Sequence, residues 1–144
     1  MRPHLRKVGG YEGVDPLEVL AQEAGVPPEK VIKLNGNENP YGPSPRVLEA
    51  LGSYREYNLY PDPYQRQMRH ALAQYLGVAE EQIVVGNGSD EIIDLVVKLF
   101  VGPGEKGLVP TPTFGMYAFT LDAAGGGVVK VPRDETFDLD VEAM

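Results

Sequence analysis

The residues with the clearest chemical potential are Gly86, Asn87, Gly88, Ser89, Asp90 and Glu91. They follow the short apolar run Ile83-Val84-Val85 and precede the dense apolar run from Ile92 to Val101. Strand, glycine turn and helix start, in that order, aim several backbone N–H groups at one point. The positive end of the helix dipole adds to them, so the turn is a ready seat for a phosphate. Further along, Pro110-Thr111-Pro112-Thr113-Phe114-Gly115-Met116-Tyr117 can set an aromatic ring beside the same strand ends. A phosphate seat next to a ring that stacks is the combination on which a functional reading rests.

The same turn also admits a plainer reading, in which Ser89 is an N-cap and Asp90 and Glu91 favour the helix dipole. No Gly-Lys-Ser/Thr follows the turn, so the Walker A pattern is absent. The G-x-G-x-x-G pattern is met only at Gly86 and Gly88, because Glu91 stands where the third glycine belongs. Asp90 and Glu91 repel a phosphate dianion unless their side chains point away. No Lys or Arg lies near the turn in sequence, so cationic help must come from elsewhere.

The elements that must position these groups alternate in type. A strand over 83–85 leads to a helix over 89–101, then to the break Gly102-Pro103-Gly104. A strand over 107–109 leads to a helix over 113–124, then Gly125-Gly126-Gly127 and a strand over 128–131. This βαβαβ order implies an α/β fold with parallel strands and right-handed crossovers. The helix over 89–101 is apolar nearly all round (Ile92, Ile93, Leu95, Val96, Val97, Leu99, Phe100), which predicts burial on more than one side.

Upstream, residues 1–14 read as an extended arm, because Pro3, Gly9, Gly10 and Gly13 oppose regular structure. Asp15-Pro16 starts a helix that Gly25 stops, and Val31-Ile32-Lys33-Leu34 reads as a short strand. Asn35 to Pro43 is turn-rich, Ser44-Pro45 starts a helix that Gly52 ends, and Asp62-Pro63 starts one that Gly77 ends. Three parallel strands need cover on both faces. The expectation is therefore the front part of a longer architecture, or a small domain completed by association.

Composition bounds the function classes. The 144 residues carry a net charge of −8, which argues against unaided binding to nucleic acid or an anionic membrane. There are no cysteines, which excludes disulfides and thiolate metal sites and fits a reducing cytoplasm. The only histidines are His4 and His70, so a histidine metal site has little support. No window reaches the apolar length of a membrane span, and no apolar signal core follows the basic N-terminus.

Four segments in this order carry a family resemblance: Asn37-Glu38-Asn39-Pro40-Tyr41-Gly42-Pro43-Ser44-Pro45, Tyr60-Pro61-Asp62, Gly86 to Glu91, and Pro112 to Tyr117. Together they resemble histidinol-phosphate aminotransferase, a fold-type I enzyme that uses pyridoxal 5′-phosphate. The resemblance covers nearly the whole chain. It implies an N-terminal arm over 1–45 with one short helix. It further implies an incomplete three-layer α/β/α large domain over 46–144, mainly of parallel sheet.

The resemblance also implies roles. Gly88, Ser89 and Asp90 hold the cofactor phosphate, the last two through backbone N–H groups. Phe114 matches the aromatic that stacks on the pyridine ring. Tyr60 matches a tyrosine that reaches the cofactor phosphate of the neighbouring subunit. Tyr11 falls where the arm meets the substrate's phosphate end, and Asn37, Asn39 and Tyr41 border the substrate site. The implied partners are histidinol phosphate, 2-oxoglutarate and a second copy of the chain in a homodimer.

The family's chemistry also needs a lysine that forms a Schiff base with the cofactor aldehyde, an aspartate on the pyridine nitrogen, and arginines. None of Lys7, Lys30, Lys33, Lys98, Lys106 and Lys130 lies in a motif like the family's lysine site. No catalytic residue is therefore assigned, and the chain by itself is expected to be inactive. Two alternatives stand beside this reading: an aromatic-amino-acid aminotransferase of the same family, and a non-catalytic phosphate-binding or assembly domain.

Overall fold

A computed structural model describes residues 1–10 and 13–144, and it divides the chain into two compact units. One comprises Met1–Tyr11 with Pro63–Met144, and the other Glu12–Asp62.

The first unit is built on a βαβ crossover. Strand β1 (Lys106–Thr111) and strand β2 (Gly127–Pro132) pair in parallel, with Lys106 opposite Gly127 and Thr111 opposite Pro132. Between them runs the helix Met116–Ala124, here α5, which ends on Gly125 at φ +86. Ahead of β1 lies α4, Ser89–Phe100. Val97 of α4, Val109 of β1 and Leu121 of α5 form the buried cluster, and Ile93, Val101, Ala124 and Val128 pack against it. Glycine makes the closest contact possible, because a Cβ on Gly107 would lie 2.5 Å from Leu121 Cδ1. The unit also contains α3, Arg66–Leu76, which ends on Gly77 at φ +69.

The second unit holds two helices, α1 (Leu17–Ala24) and α2 (Pro45–Ser53). Gly25 ends α1 in the left-handed region, and Ser44 with Pro45 opens α2. Of this unit's described residues, Ala21 is the buried hydrophobic one.

Several expectations differ from what is observed. Residues 83–85 run extended but pair with no strand among the described residues, so a two-stranded βαβ stands where βαβαβ was expected. A strand is stabilised by its ladder, and an apolar run without a neighbour gains none. Val31 to Leu34 is irregular for the same reason. Residues Pro3–Arg6 form a 3-10 turn rather than an extended arm, and His4 Nε2 lies 3.2 Å from Ala123 O at the end of α5. Helix α3 starts at Arg66, not at Pro63, because Gln65 takes a left-handed conformation (φ +51) that interrupts the helical path. Helix α4 buries Val97 alone, while Leu99 and Phe100 are about three-quarters exposed at 75% and 76%. Its neighbours α5 and β1 cover one face, and nothing among the described residues covers the others.

Candidate functional site

The site is assembled where strands end and helices begin. Helix α5 joins β1 to β2, so its N-terminus and the loop ahead of it fall at the carboxyl end of β1, while α4 packs through Val97 against Val109 of β1 and Leu121 of α5. The carboxyl end of the strands is where open α/β sheets bind ligands.

At the mouth of α4, Gly88 adopts φ +81 and ψ 176, a region essentially restricted to glycine, and a Cβ there would meet nothing within 4 Å. Gly86 is confined, since a Cβ would lie 2.8 Å from Ile92 Cδ1. The Gly88 N–H donates to Gly86 O at 2.9 Å, which closes the turn. Ser89 and Asp90 follow as the first helical residues, both exposed, where no earlier turn of helix supplies an acceptor for their N–H groups. The Glu91 side chain does not point away: its Oε2 accepts from the Asn87 N–H. A carboxylate near the positive helix end stabilises the turn, and it takes one of the amides that an anion could use.

The second component is the loop between β1 and α5. It leaves the strand at Thr111, whose peptide bond to Pro112 is cis, and carries Phe114 at 47% exposure. The Phe114 ring meets Tyr117 edge-on, with centroids 6.3 Å apart. Across the sheet edge, Arg133 follows β2, and its Nε donates to Pro112 O at 3.0 Å. Next to it, Asp134 is held below the ordinary carboxyl value of 3.8, first by the Thr136 hydroxyl and then by the Asp138 N–H.

The first unit thus carries both the Gly88–Asp90 turn, at the start of α4, and the Phe114 loop, between β1 and α5. The other expected residues lie in the second unit. Asn39 organises a local turn: its Oδ1 accepts from Tyr41 N at 3.1 Å and its Nδ2 donates to Gly42 O at 3.2 Å. Asn37 and Tyr41 are exposed, and Tyr60 is fully exposed at 101%. Tyr11 lies outside the described residues. Sequence reasoning missed Arg133; its only signal was a cation after Pro132, just past the predicted strand over 128–131. The lysines of the first unit's sheet and helices sit away from the carboxyl edge: Lys106 opens β1, Lys130 lies mid-strand, and Lys98 pairs with Asp94 late in α4.

Among the described residues no group of three or more His, Asp or Glu side chains could hold a metal ion. No helix among them is long and apolar enough to cross a membrane.

Residues 29–144 match the family model described as aminotransferase class I and II. Over all 144 residues the chain is 49% identical to histidinol-phosphate aminotransferase 1, chloroplastic, of Arabidopsis thaliana, of which it covers 34%. It is 44% identical over 149 aligned positions to the histidinol-phosphate aminotransferase of Roseiflexus castenholzii, of which it covers 40%. Among solved structures it resembles the histidinol-phosphate aminotransferase of Sinorhizobium meliloti in complex with pyridoxal-5′-phosphate, with a TM-score of 0.74 and 26% identity. That superposition covers 94% of this chain and 35% of the other. The chain therefore spans between a third and two-fifths of the length of these relatives, matching their N-terminal part.

Proposed function

The chain belongs to the class I and II aminotransferase family, and from that premise we propose that it is the N-terminal part of a pyridoxal-phosphate-dependent histidinol-phosphate aminotransferase. The reaction is amino transfer between histidinol phosphate and 2-oxoglutarate in histidine biosynthesis. The single observation that supports the reading is that one unit carries the exposed helix-opening residues Ser89 and Asp90 and the half-exposed Phe114 ring in the loop after β1.

The residues present fit the cofactor. Gly88 leaves open space where a side chain would stand, so a phosphate can approach the backbone closely. The Ser89 and Asp90 N–H groups bind its oxygens, and the helix dipole favours the negative charge. Phe114 offers a flat apolar surface against which a pyridine ring stacks, which sets the ring plane and keeps water from one side. When bound, pyridoxal phosphate supplies the electron sink that the amino transfer needs. Tyr60 reaches a phosphate in a homodimer, and Tyr11, Asn37, Asn39 and Tyr41 border the substrate. Glu91 stays on the Asn87 amide, so its charge is partly spent within the turn. The location proposed is cytoplasmic, on the cysteine-free composition, although the Arabidopsis relative is named as chloroplastic.

The test uses the complete polypeptide that carries this segment. It should transfer an amino group from histidinol phosphate to 2-oxoglutarate and do so far faster than from aromatic amino acids. The 144-residue chain alone should show no turnover. Turnover by that chain, or a borohydride-fixed cofactor adduct on one of its lysines, would overturn the assignment of catalysis to residues outside it.

A further inference from the structure

The Phe114 ring is half exposed, so core packing does not set its orientation, and its backbone must. Two carbonyls just ahead of it are taken by a single residue from across the sheet edge. The Arg133 N–H donates to Thr111 O at 2.9 Å, carrying the parallel ladder one step past Pro132. The Arg133 side chain then donates from Nε to Pro112 O at 3.0 Å and from Nη1 to Phe137 O at 3.1 Å.

The far end of that bridge is itself fixed. Asp134 Oδ1 accepts from Thr136 N at 2.8 Å, Thr136 Oγ1 at 2.7 Å and Asp138 N at 2.9 Å. The Phe137 N–H donates to Asp134 O at 3.0 Å, and Phe137 holds φ +64, a conformation a phenylalanine rarely adopts. A self-bonded loop over 134–138 thus presents the Phe137 carbonyl, and a planar guanidinium with donors at fixed angles connects it to Pro112.

We propose that Arg133 is a positioning residue for Phe114: its guanidinium, anchored on the Phe137 carbonyl, fixes the Pro112 turn and thereby the ring face offered to the cofactor. The proposal rests on the reading of Phe114 as the stacking residue. Arg133 acts through backbone carbonyls and needs no contact with the cofactor or substrate. A point charge does not replace it, because the role depends on two donors held in one plane.

The experiment uses the complete polypeptide freed of cofactor and reads pyridoxal phosphate affinity by titration, with the visible circular dichroism of the bound cofactor as a second readout. R133Q should weaken affinity about tenfold, the scale of a lost charge-assisted hydrogen bond, and change the dichroic band. R133K should remain weakened severalfold. In an F114A background, R133Q should add less than about twofold, because both substitutions act on one ring. Wild-type affinity in R133Q or in R133K, or independent multiplication of the two effects, overturns the proposal while leaving the function intact. Wild-type affinity in F114A overturns the stacking reading itself and this proposal with it. If R133Q does not fold, R133K alone decides on the same criteria.

Discussion

The two units hold their candidate functional groups by different means. In the first, the Gly88–Asp90 turn and Phe114 hang from a parallel ladder and from the buried Val97, Val109 and Leu121. In the second, Asn37, Asn39, Tyr41 and Tyr60 sit on turns that bond within a few residues. Examples are the Asn39–Gly42 turn and the Lys33–Glu38 ion pair at 3.2 Å. Leu34, Tyr41 and Tyr60 are 88%, 94% and 101% exposed, so apolar burial contributes little to holding that region. Groups tied to long-range packing share the fate of the core, whereas groups on local turns open and close at little cost.

The comparison breaks most readily at Leu121, which is 5% exposed. L121A should cost about 2–5 kcal/mol in denaturant unfolding, whereas L48A, at a half-exposed site of the second unit, should stay within about 0.5 kcal/mol. Equal losses at both sites would show that the two regions are held alike. G107V comes next, since its added methyls meet Leu121, and overpacking of about 1–3 kcal/mol should lower the thermal midpoint. G88A should cost about 1–3 kcal/mol through its strained backbone and should weaken pyridoxal phosphate binding by the complete protein. An unchanged cofactor affinity in G88A would remove the turn from the site.

A pH titration sharpens the comparison further. The Asp134 carboxyl is depressed below 3.8 when folded, so its contribution is present above that value and lost as pH falls through the folded one. Acidification to about pH 3 should therefore destabilise the natural protein more than D134N, as read by chemical unfolding at each pH. The smallest effect is expected for Y60F, which should leave stability within about 0.5 kcal/mol because the ring is fully exposed. A larger loss would mean that Tyr60 is held by more than its local turn.

Much of the first unit was legible in the chain. The glycine turn and apolar run gave the start of α4 at Ser89, and Gly125 gave the end of α5 at Ala124. These are local signals, set by φ preferences and by side-chain spacing along one helix. The strand expected over 83–85 and the burial expected on several sides of α4 are not formed among the described residues, because both depend on a partner that periodicity cannot name. An apolar face says that cover is favourable, and it does not say where the cover is. The loop position of Phe114 was legible from its motif, while the contact of Arg133 was not, since its side chain serves a carbonyl twenty-one positions upstream. The direction of Glu91 was not legible either: helix numbering allows an N3 carboxylate to face out, yet the nearby Asn87 amide attracts it back.

By itself the sequence determined the order of α1, α2, α3, α4, β1, α5 and β2, the glycine turn at Gly88 and the family to which the chain belongs, since these follow from residue types within short windows. Tertiary structure decided which elements pair, that Val97, Val109 and Leu121 meet in one cluster, and that Arg133 reaches Pro112. The physical reason is that backbone conformation is chosen locally, whereas hydrogen bonds and apolar contacts between distant residues exist only once the ladder has brought them together.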